Sequence, residues 1–255
     1  MTDYNFKIMS CNLKGIRAAK RHGFLDVVKE ENPDIICVQD LKTNLKNIPN
    51  TLRNIPGYES YFYESNTRGQ KGVGIYTKIE PNDVFEGLGV EIGNEGRLLR
   101  LDFNDFIIIS SFIPSGGKEK ITYKLDFLDK YIEYLKNLID NQEKDIIVCG
   151  DFNIAHDEKD LYDKRFRESG FKKEERERID RLLNIGFKDA FREINPDLEQ
   201  VSFASYQYRK KGEDYKGLRL DYFFINERLL DKVTNCRIKD YHISDHNPIF
   251  LELKF

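Results

Sequence analysis

Eight short apolar runs, rich in β-branched and aromatic residues and ended by turn formers, constrain the fold more than any other feature of this chain. They are Lys7–Ser10, Asp34–Gln39, Val73–Lys78, Leu98–Phe103, Phe106–Ile113, Asp145–Cys149, Leu220–Ile225 and Pro248–Leu253. That composition over so few residues favours strands over helices. Helical stripes lie between them. Ile121, Leu125, Leu128, Ile132, Leu135 and Ile139 step alternately by four and three residues, which paints one face of a helix. Phe24, Leu25, Val27 and Val28 form a shorter stripe before Pro33, and a third helix is predicted over Glu175–Leu183, with Gly186 as its stop. The order strand, loop, helix, buried strand leads once to Gln39–Asp40 and again to Asp151–Asn153. Strands interleaved with helices in this way imply two packed sheets with helices outside, a layered α/β sandwich.

No Pro/Gly/Ser-rich linker divides the 255 residues, so a single domain over 1–255 is expected. A chain of this length can bury a full core without disulfides or a structural metal. No pair of the four cysteines has the short spacing of a zinc site, and Cys37 and Cys149 sit in apolar runs, as buried free thiols do. The first seven residues carry no apolar signal core, and no segment is apolar enough to span a membrane. A reducing cytoplasm and a monomer are the expectations. Net charge is −3, so total charge does not advertise nucleic acid. Local basic clusters do occur at Arg165–Arg167, Lys172–Lys173 and Arg209–Lys211, with Arg68 and Lys71 in a glycine-bearing loop. Any one of them also reads as solvated surface.

Chemistry-bearing residues collect where strands run out. Asn12 follows the first run, Asp40 the second, and Asp151 and Asn153 follow Asp145–Cys149 across Gly150. Asp245 and His246 precede the last run, and Asp221 sits inside another. Each has a plain reading: an aspartate after a strand is a common turn residue, and Asp245-His246 can be a capped loop. Asp221 is harder to dismiss, because a charge within an apolar strand needs a partner. If these strand ends converge, their carboxylates repel one another unless a cation is present. Oxygen ligands without a cysteine or multi-histidine set favour a hard ion such as Mg²⁺, with Mn²⁺ as substitute.

Several segments taken together resemble the exonuclease III-like apurinic/apyrimidinic endonucleases, within the endonuclease/exonuclease/phosphatase superfamily. They are Lys7-Ile8-Met9-Ser10-Cys11-Asn12-Leu13-Lys14-Gly15, Gly23-Phe24-Leu25, Pro33-Asp34-Ile35-Ile36-Cys37-Val38-Gln39, Gly150-Asp151-Phe152-Asn153-Ile154-Ala155-His156, Leu220-Asp221-Tyr222-Phe223 and Ser244-Asp245-His246-Asn247-Pro248. The similarity runs along nearly the whole chain. It implies a four-layered α/β sandwich of two packed mixed sheets flanked by helices. It also implies a Mg²⁺-dependent DNA phosphodiesterase that cleaves 5′ to abasic sites, with 3′-5′ exonuclease, 3′-phosphatase or 3′-phosphodiesterase activity. In that scheme Asp151 activates water, Asn153 helps to place it, His246 holds a phosphate oxygen, and Asp221 orients His246. Asn12, Asp40 and Asp245 hold the metal. Arg68, Lys71, Arg209 and Lys210 contact duplex DNA bearing abasic or blocked 3′ ends.

The chain departs from the family at identifiable places. Asp40 stands for the usual Glu, and its oxygens retreat by roughly 1–1.5 Å, one carbon–carbon bond, so weaker or water-mediated metal binding is expected. Phe112 stands at the usual catalytic Tyr, Ser115 at the usual Asn, Lys14 at the usual Asn or Asp, and Leu218 at a common Trp. Phe112 removes a hydroxyl near the scissile phosphate, and the lost aromatic at Leu218 bears on the choice of lesion more than on the bond cleaved. Two rival readings remain: a nucleic-acid-binding or regulatory homologue with weakened catalysis, and a hydrolase of RNA or small phosphoesters.

Overall fold

Each of the eight runs forms a strand in the computed structural model, which describes residues 5–65, 71–89, 95–117, 120–204 and 217–254. In chain order the first half comprises β1 (Asn5–Asn12), α1 (Ile16–Arg21), α2 (Phe24–Glu31), β2 (Ile35–Gln39), α3 (Asn50–Arg53), β3 (Glu59–Tyr63), β4 (Val73–Thr77), β5 (Asp83–Glu86), β6 (Leu98–Asp102) and β7 (Phe106–Phe112). The second half comprises α4 (Ile121–Asn141), β8 (Asp145–Asp151), α5 (Lys173–Asn184), β9 (Phe187–Asp189), α6 (Ala190–Ile194), β10 (Asp221–Asn226), β11 (Val233–Ile238) and β12 (Ile249–Lys254). One sheet runs β11-β12-β1-β2-β4-β3 and the other β5-β6-β7-β8-β10-β9. Both are mixed: β1 pairs with β2, and β7 with β8, in parallel, and the remaining ladders are antiparallel.

Side chains alternate between the two faces of a strand, and that alternation builds three apolar layers. Ile8, Ile35, Cys37 and Ile75 of the first sheet meet Leu101, Ile108, Ile147, Cys149, Phe223 and Ile225 of the second. The other face of the first sheet, with Met9, Cys11, Ile36, Val38 and Phe250, is covered by α1, α2 and α3. The other face of the second, with Ile107, Ile109, Ile146, Val148 and Phe224, takes the stripe of α4 together with Ile179 and Leu182 of α5. Each large side chain buried in these layers contributes about 1.5–3 kcal/mol. The expected four-layered α/β sandwich is present. All four cysteines are buried and none is in a disulfide, and burial raises the Cys37 thiol well above its ordinary range, with Cys149 beside it adding to the rise. No helix among the described residues is long and apolar enough to cross a membrane.

Candidate active site

The same alternation that buries Ile8, Cys37, Cys149 and Phe223 between the sheets carries on to the strand ends, where the inward positions become polar. Asn12 and Gln39 are paired neighbours at the ends of β1 and β2. Across the sandwich, Asp151 at the end of β8 is paired on one side with Phe112 and on the other with Asp221. The two sheets therefore face each other at this rim with amides and carboxylates instead of aliphatics. Gly150 makes the arrangement possible. Its φ is +137°, and a Cβ there would stand 1.9 Å from the Ser111 carbonyl oxygen, so only glycine lets β8 lie this close to β7 just before Asp151.

Asp151 is 1% exposed and is held by three hydrogen bonds. Asn12 Nδ2 donates to Oδ2 across the sheets at 2.8 Å. The backbone N–H of Asn153 donates to Oδ1 at 2.8 Å, and Asn153 Nδ2 donates to Oδ2 at 3.1 Å. Asn153 can double back because its backbone is left-handed, with φ 52°. Below it, the fully buried Lys124 donates to the Asn153 carbonyl at 2.7 Å and pairs with Glu175 at 2.7 Å, which fixes the turn from behind.

His246 lies on the loop before β12, and Asp221 Oδ2 is 2.8 Å from its Nδ1. Its Nε2 points toward Asp151 Oδ2 at 3.9 Å. Burial opposes the imidazolium, but the charges of Asp221, Asp151 and Asp245 outweigh it and raise His246 to about 9. Burial also pushes Asp151 up, to about 7; His246 opposes this rise and Asp221 adds to it. Nδ1–H therefore donates to Asp221, and the proton on Nε2 faces Asp151. Donor atoms of Asp151, Asp221 and His246 lie within 4.8 Å of one another, close enough to grip a metal. Nδ1 of His246 is already committed to Asp221 at 2.8 Å, which leaves Nε2 and the aspartate oxygens to handle a proton or an ion.

Asp40 and Asp245 complete the rim. Asp40, just past β2, is left-handed at φ 55°. Burial raises its carboxyl, partly offset by the Lys42 ammonium 2.9 Å away and by the charges of His246 and Lys14, so Asp40 lies within electrostatic reach of the histidine. Asp245 is 1% exposed and pairs through Oδ2 with Lys14, while its Oδ1 accepts no hydrogen bond from the described residues. The Asn12 amide serves two partners: Nδ2 donates to Asp151, and Oδ1 accepts the Lys14 N–H at 2.9 Å, which leaves one oxygen lone pair.

The expected substrate-binding residues divide. Lys71 is near the rim, since its carbonyl accepts the N–H of Lys42 at 2.9 Å, and its ammonium pairs with Glu95. Leu218 packs with Phe166, Phe203, Leu161 and Phe171 in a small satellite cluster. Phe112 is partly buried, with the Arg97 guanidinium 5.5 Å from its ring centre. Arg68, Arg209 and Lys210 lie outside the described residues.

Four residues that support the site went unread in the sequence: Ser202, Phe203, Ser244 and Lys124. Ser202 Oγ donates to Asp221 Oδ2 at 2.6 Å and accepts the N–H groups of Leu220 and Asp221. Phe203 lies against the His246 ring with centroids 4.9 Å apart. Ser244 Oγ donates to the Asn12 carbonyl at 2.6 Å and accepts the His246 N–H at 2.9 Å. A signal existed only for Lys124, a charge inside the apolar stripe of α4.

Comparison with known proteins agrees with this geometry. The model of the endonuclease/exonuclease/phosphatase family matches residues 9–246. A DNA-(apurinic or apyrimidinic site) endonuclease of Dictyostelium discoideum is 36% identical, over 95% of this chain and 69% of its own length. An exodeoxyribonuclease of Bacillus subtilis is 34% identical over 96% of this chain and 98% of its own. An AP endonuclease structure from Archaeoglobus fulgidus superposes with TM-score 0.87 at 28% identity, covering 97% of this chain and 99% of the other. With its sandwich, its rim of strand-end carboxylates and these relatives, the chain belongs to the endonuclease/exonuclease/phosphatase family.

Proposed function

We propose that this protein is a Mg²⁺-dependent DNA phosphodiesterase that hydrolyses the bond 5′ to an abasic site and trims blocked 3′ ends. The observation that carries this reading is the buried line Asp221–His246–Asp151, with separations of 2.8 and 3.9 Å, at the rim shared by the two sheets. Asp151, raised to about 7, is poised to take a proton from water near neutral pH, as a general base should be. Asn12 and Asn153 fix its oxygens. His246 holds a non-bridging phosphate oxygen through Nε2–H, and Asp221 keeps the ring oriented and charged. Water oxygen bonds to phosphorus, its proton passes to Asp151, and the 3′-oxygen departs.

The residues fit a hard divalent cation: Asp245 Oδ1 is a buried oxygen accepting no hydrogen bond from the described residues, and the nearby donors are oxygens. Asp40, Asp245 and the remaining lone pair of Asn12 would hold it, and when bound it supplies positive charge at the phosphate and at the leaving oxygen. Lys71, together with Arg68, Arg209 and Lys210, would contact DNA phosphates. Phe203 and Leu218 offer an apolar wall beside His246 for a sugar that has lost its base. Four buried cysteines outside any disulfide support a reducing, cytoplasmic setting, and a monomer suffices for all these contacts.

The test is a panel of labelled duplexes, namely abasic, 3′-phosphate, recessed and intact, with Mg²⁺ or with chelator. Cleavage 5′ to the abasic site that needs the metal is the expected result. Binding without turnover of any member would favour the catalytically weakened homologue, a reading motivated by Asp40, Phe112 and Leu218.

A further inference from the structure

Two lysines stand on the carboxylates to which the proposed function gives the divalent ion. Lys14 Nζ is ion-paired with Asp245 Oδ2, and Lys42 Nζ is 2.9 Å from Asp40 Oδ2. The lysine side chains are 42% and 40% exposed, whereas those of Asp245 and Asp40 are 1% and 11% exposed. Each carboxylate is therefore fixed in the wall, and each ammonium sits on a long stem that can swing into water.

Lys14 is the better placed of the two. Its N–H is tied to Asn12 Oδ1 at 2.9 Å, its backbone is left-handed at φ 47°, and its charge also reaches Asp40. Asp245 thus has one oxygen on an ammonium and the other, Oδ1, buried without a hydrogen bond among the described residues. That is half of a coordination site with a cation of the protein's own already beside it.

Resting on the metal-dependent reading above, we propose that Lys14 is an internal counter-cation of the divalent-ion site, which neutralises Asp245 in the metal-free protein and lowers the affinity of the site for the ion. A carboxylate already paired with an ammonium gives up that attraction when the ion arrives, and an ammonium that stays nearby repels the divalent charge. The pair also explains how carboxylates crowded at one rim are tolerated before any metal binds. Metal occupancy is then graded by a residue of the site itself.

The test titrates metal-free protein with Mn²⁺, without DNA, and follows the free ion by electron paramagnetic resonance. Lys14→Met is expected to bind Mn²⁺ about tenfold more tightly than wild type or better, since the competing charge is gone. Lys14→Gln provides the same comparison should the methionine variant fail to fold. Lys14→Arg, which keeps the charge, is expected to stay near wild type. Equal or weaker affinity in the neutral variants, or tightening in Lys14→Arg as well, overturns the proposal. If wild type binds Mn²⁺ and Asp245→Asn loses it, the metal site stands even when the Lys14 proposal falls. Absence of Mn²⁺ binding from every one of these proteins overturns both.

Discussion

Asp151 and His246 share one buried space, and their titration is the chemistry of the site. With Asp151 at about 7 and His246 at about 9, the competent form has the carboxylate ionised and the imidazole charged. kcat/KM should rise with pH as Asp151 loses its proton and fall as His246 loses its own, giving a bell whose two limbs belong to the pair. A bound cation moves the acid limb lower. Asp221→Asn removes the leading attraction that holds the proton on His246, so the alkaline limb should shift to lower pH. A pH–rate profile of both proteins checks this, and an unmoved alkaline limb would contradict the assigned role of Asp221. Residues of this kind were legible in the sequence because each sits at a strand end in a recognisable segment. Ser202 and Phe203 were not, because they lie in irregular backbone; Ser244 sits inside the Ser244-Asp245-His246-Asn247-Pro248 segment but has no titratable group to single it out beside Asp245 and His246. The 202–204 segment meets the 245–247 loop through Ala204 N–H to Asp245 carbonyl at 3.0 Å and Asn247 N–H to Ser202 carbonyl at 2.6 Å. No local pattern announces a contact between two such loops.

Among elements, the strands absent from the sequence reading are β3, β5, β9 and β11, and these are the four sheet edges. The reason is physical. An edge strand is covered less, so β5 is exposed throughout and β11 buries only Cys236 and Ile238 of its six residues. Central strands bury both faces and read as continuous apolar runs; edges carry charges and short lengths that also discourage pairing with other chains. The ladder β7–β8 makes its own prediction. Gly150→Ala forces a Cβ onto the Ser111 carbonyl at a φ that alanine rarely adopts, and should cost about 2–4 kcal/mol in a denaturant titration, with loss of activity because Asp151 is next in the chain. A cost under about 0.5 kcal/mol, the level of an ordinary surface substitution, would show that the strands separate freely.

Another element-scale device ties α2 to β1 and β11. Glu31, 7% exposed, meets Lys7 at 3.1 Å, Arg237 at 2.9 Å and Lys239 at 2.7 Å. Burial works against its charge, but Lys239, Tyr241, Lys7 and Arg237 outweigh it and lower the carboxyl from 4.5 to about 2. A depressed carboxylate stabilises the fold above its unfolded value and loses that contribution as pH falls toward the folded one. Glu31→Gln should therefore be less stable than wild type at neutral pH by about 1–2 kcal/mol, allowing for the half-exposed Lys239. The difference should close between about pH 4.5 and 2. Melting curves at several pH values check it; a gap that persists at the lowest pH would point to packing instead of charge.

At the scale of the molecule, the layered sandwich was legible because helical and strand periods alternate along the chain, and because one order of segments spans nearly all of it. Sheet order and the parallel pairing of β1 with β2 and β7 with β8 were not, since they depend on which edges meet after long crossovers. What the whole fold contributes is a common rim. Two sheets of different origin in the chain end together, and Asn12 of one reaches Asp151 of the other at 2.8 Å. With net charge −3, attraction for DNA has to come from local groups around that rim, and phosphate contacts of this kind weaken steeply as salt rises. The most direct measurement is single-turnover cleavage of a duplex carrying one abasic site, with Mg²⁺, by wild type and by folded Asp151→Asn. The account predicts incision 5′ to the lesion by wild type and a loss of at least about a hundredfold in the variant. Equal rates in the two proteins would contradict it.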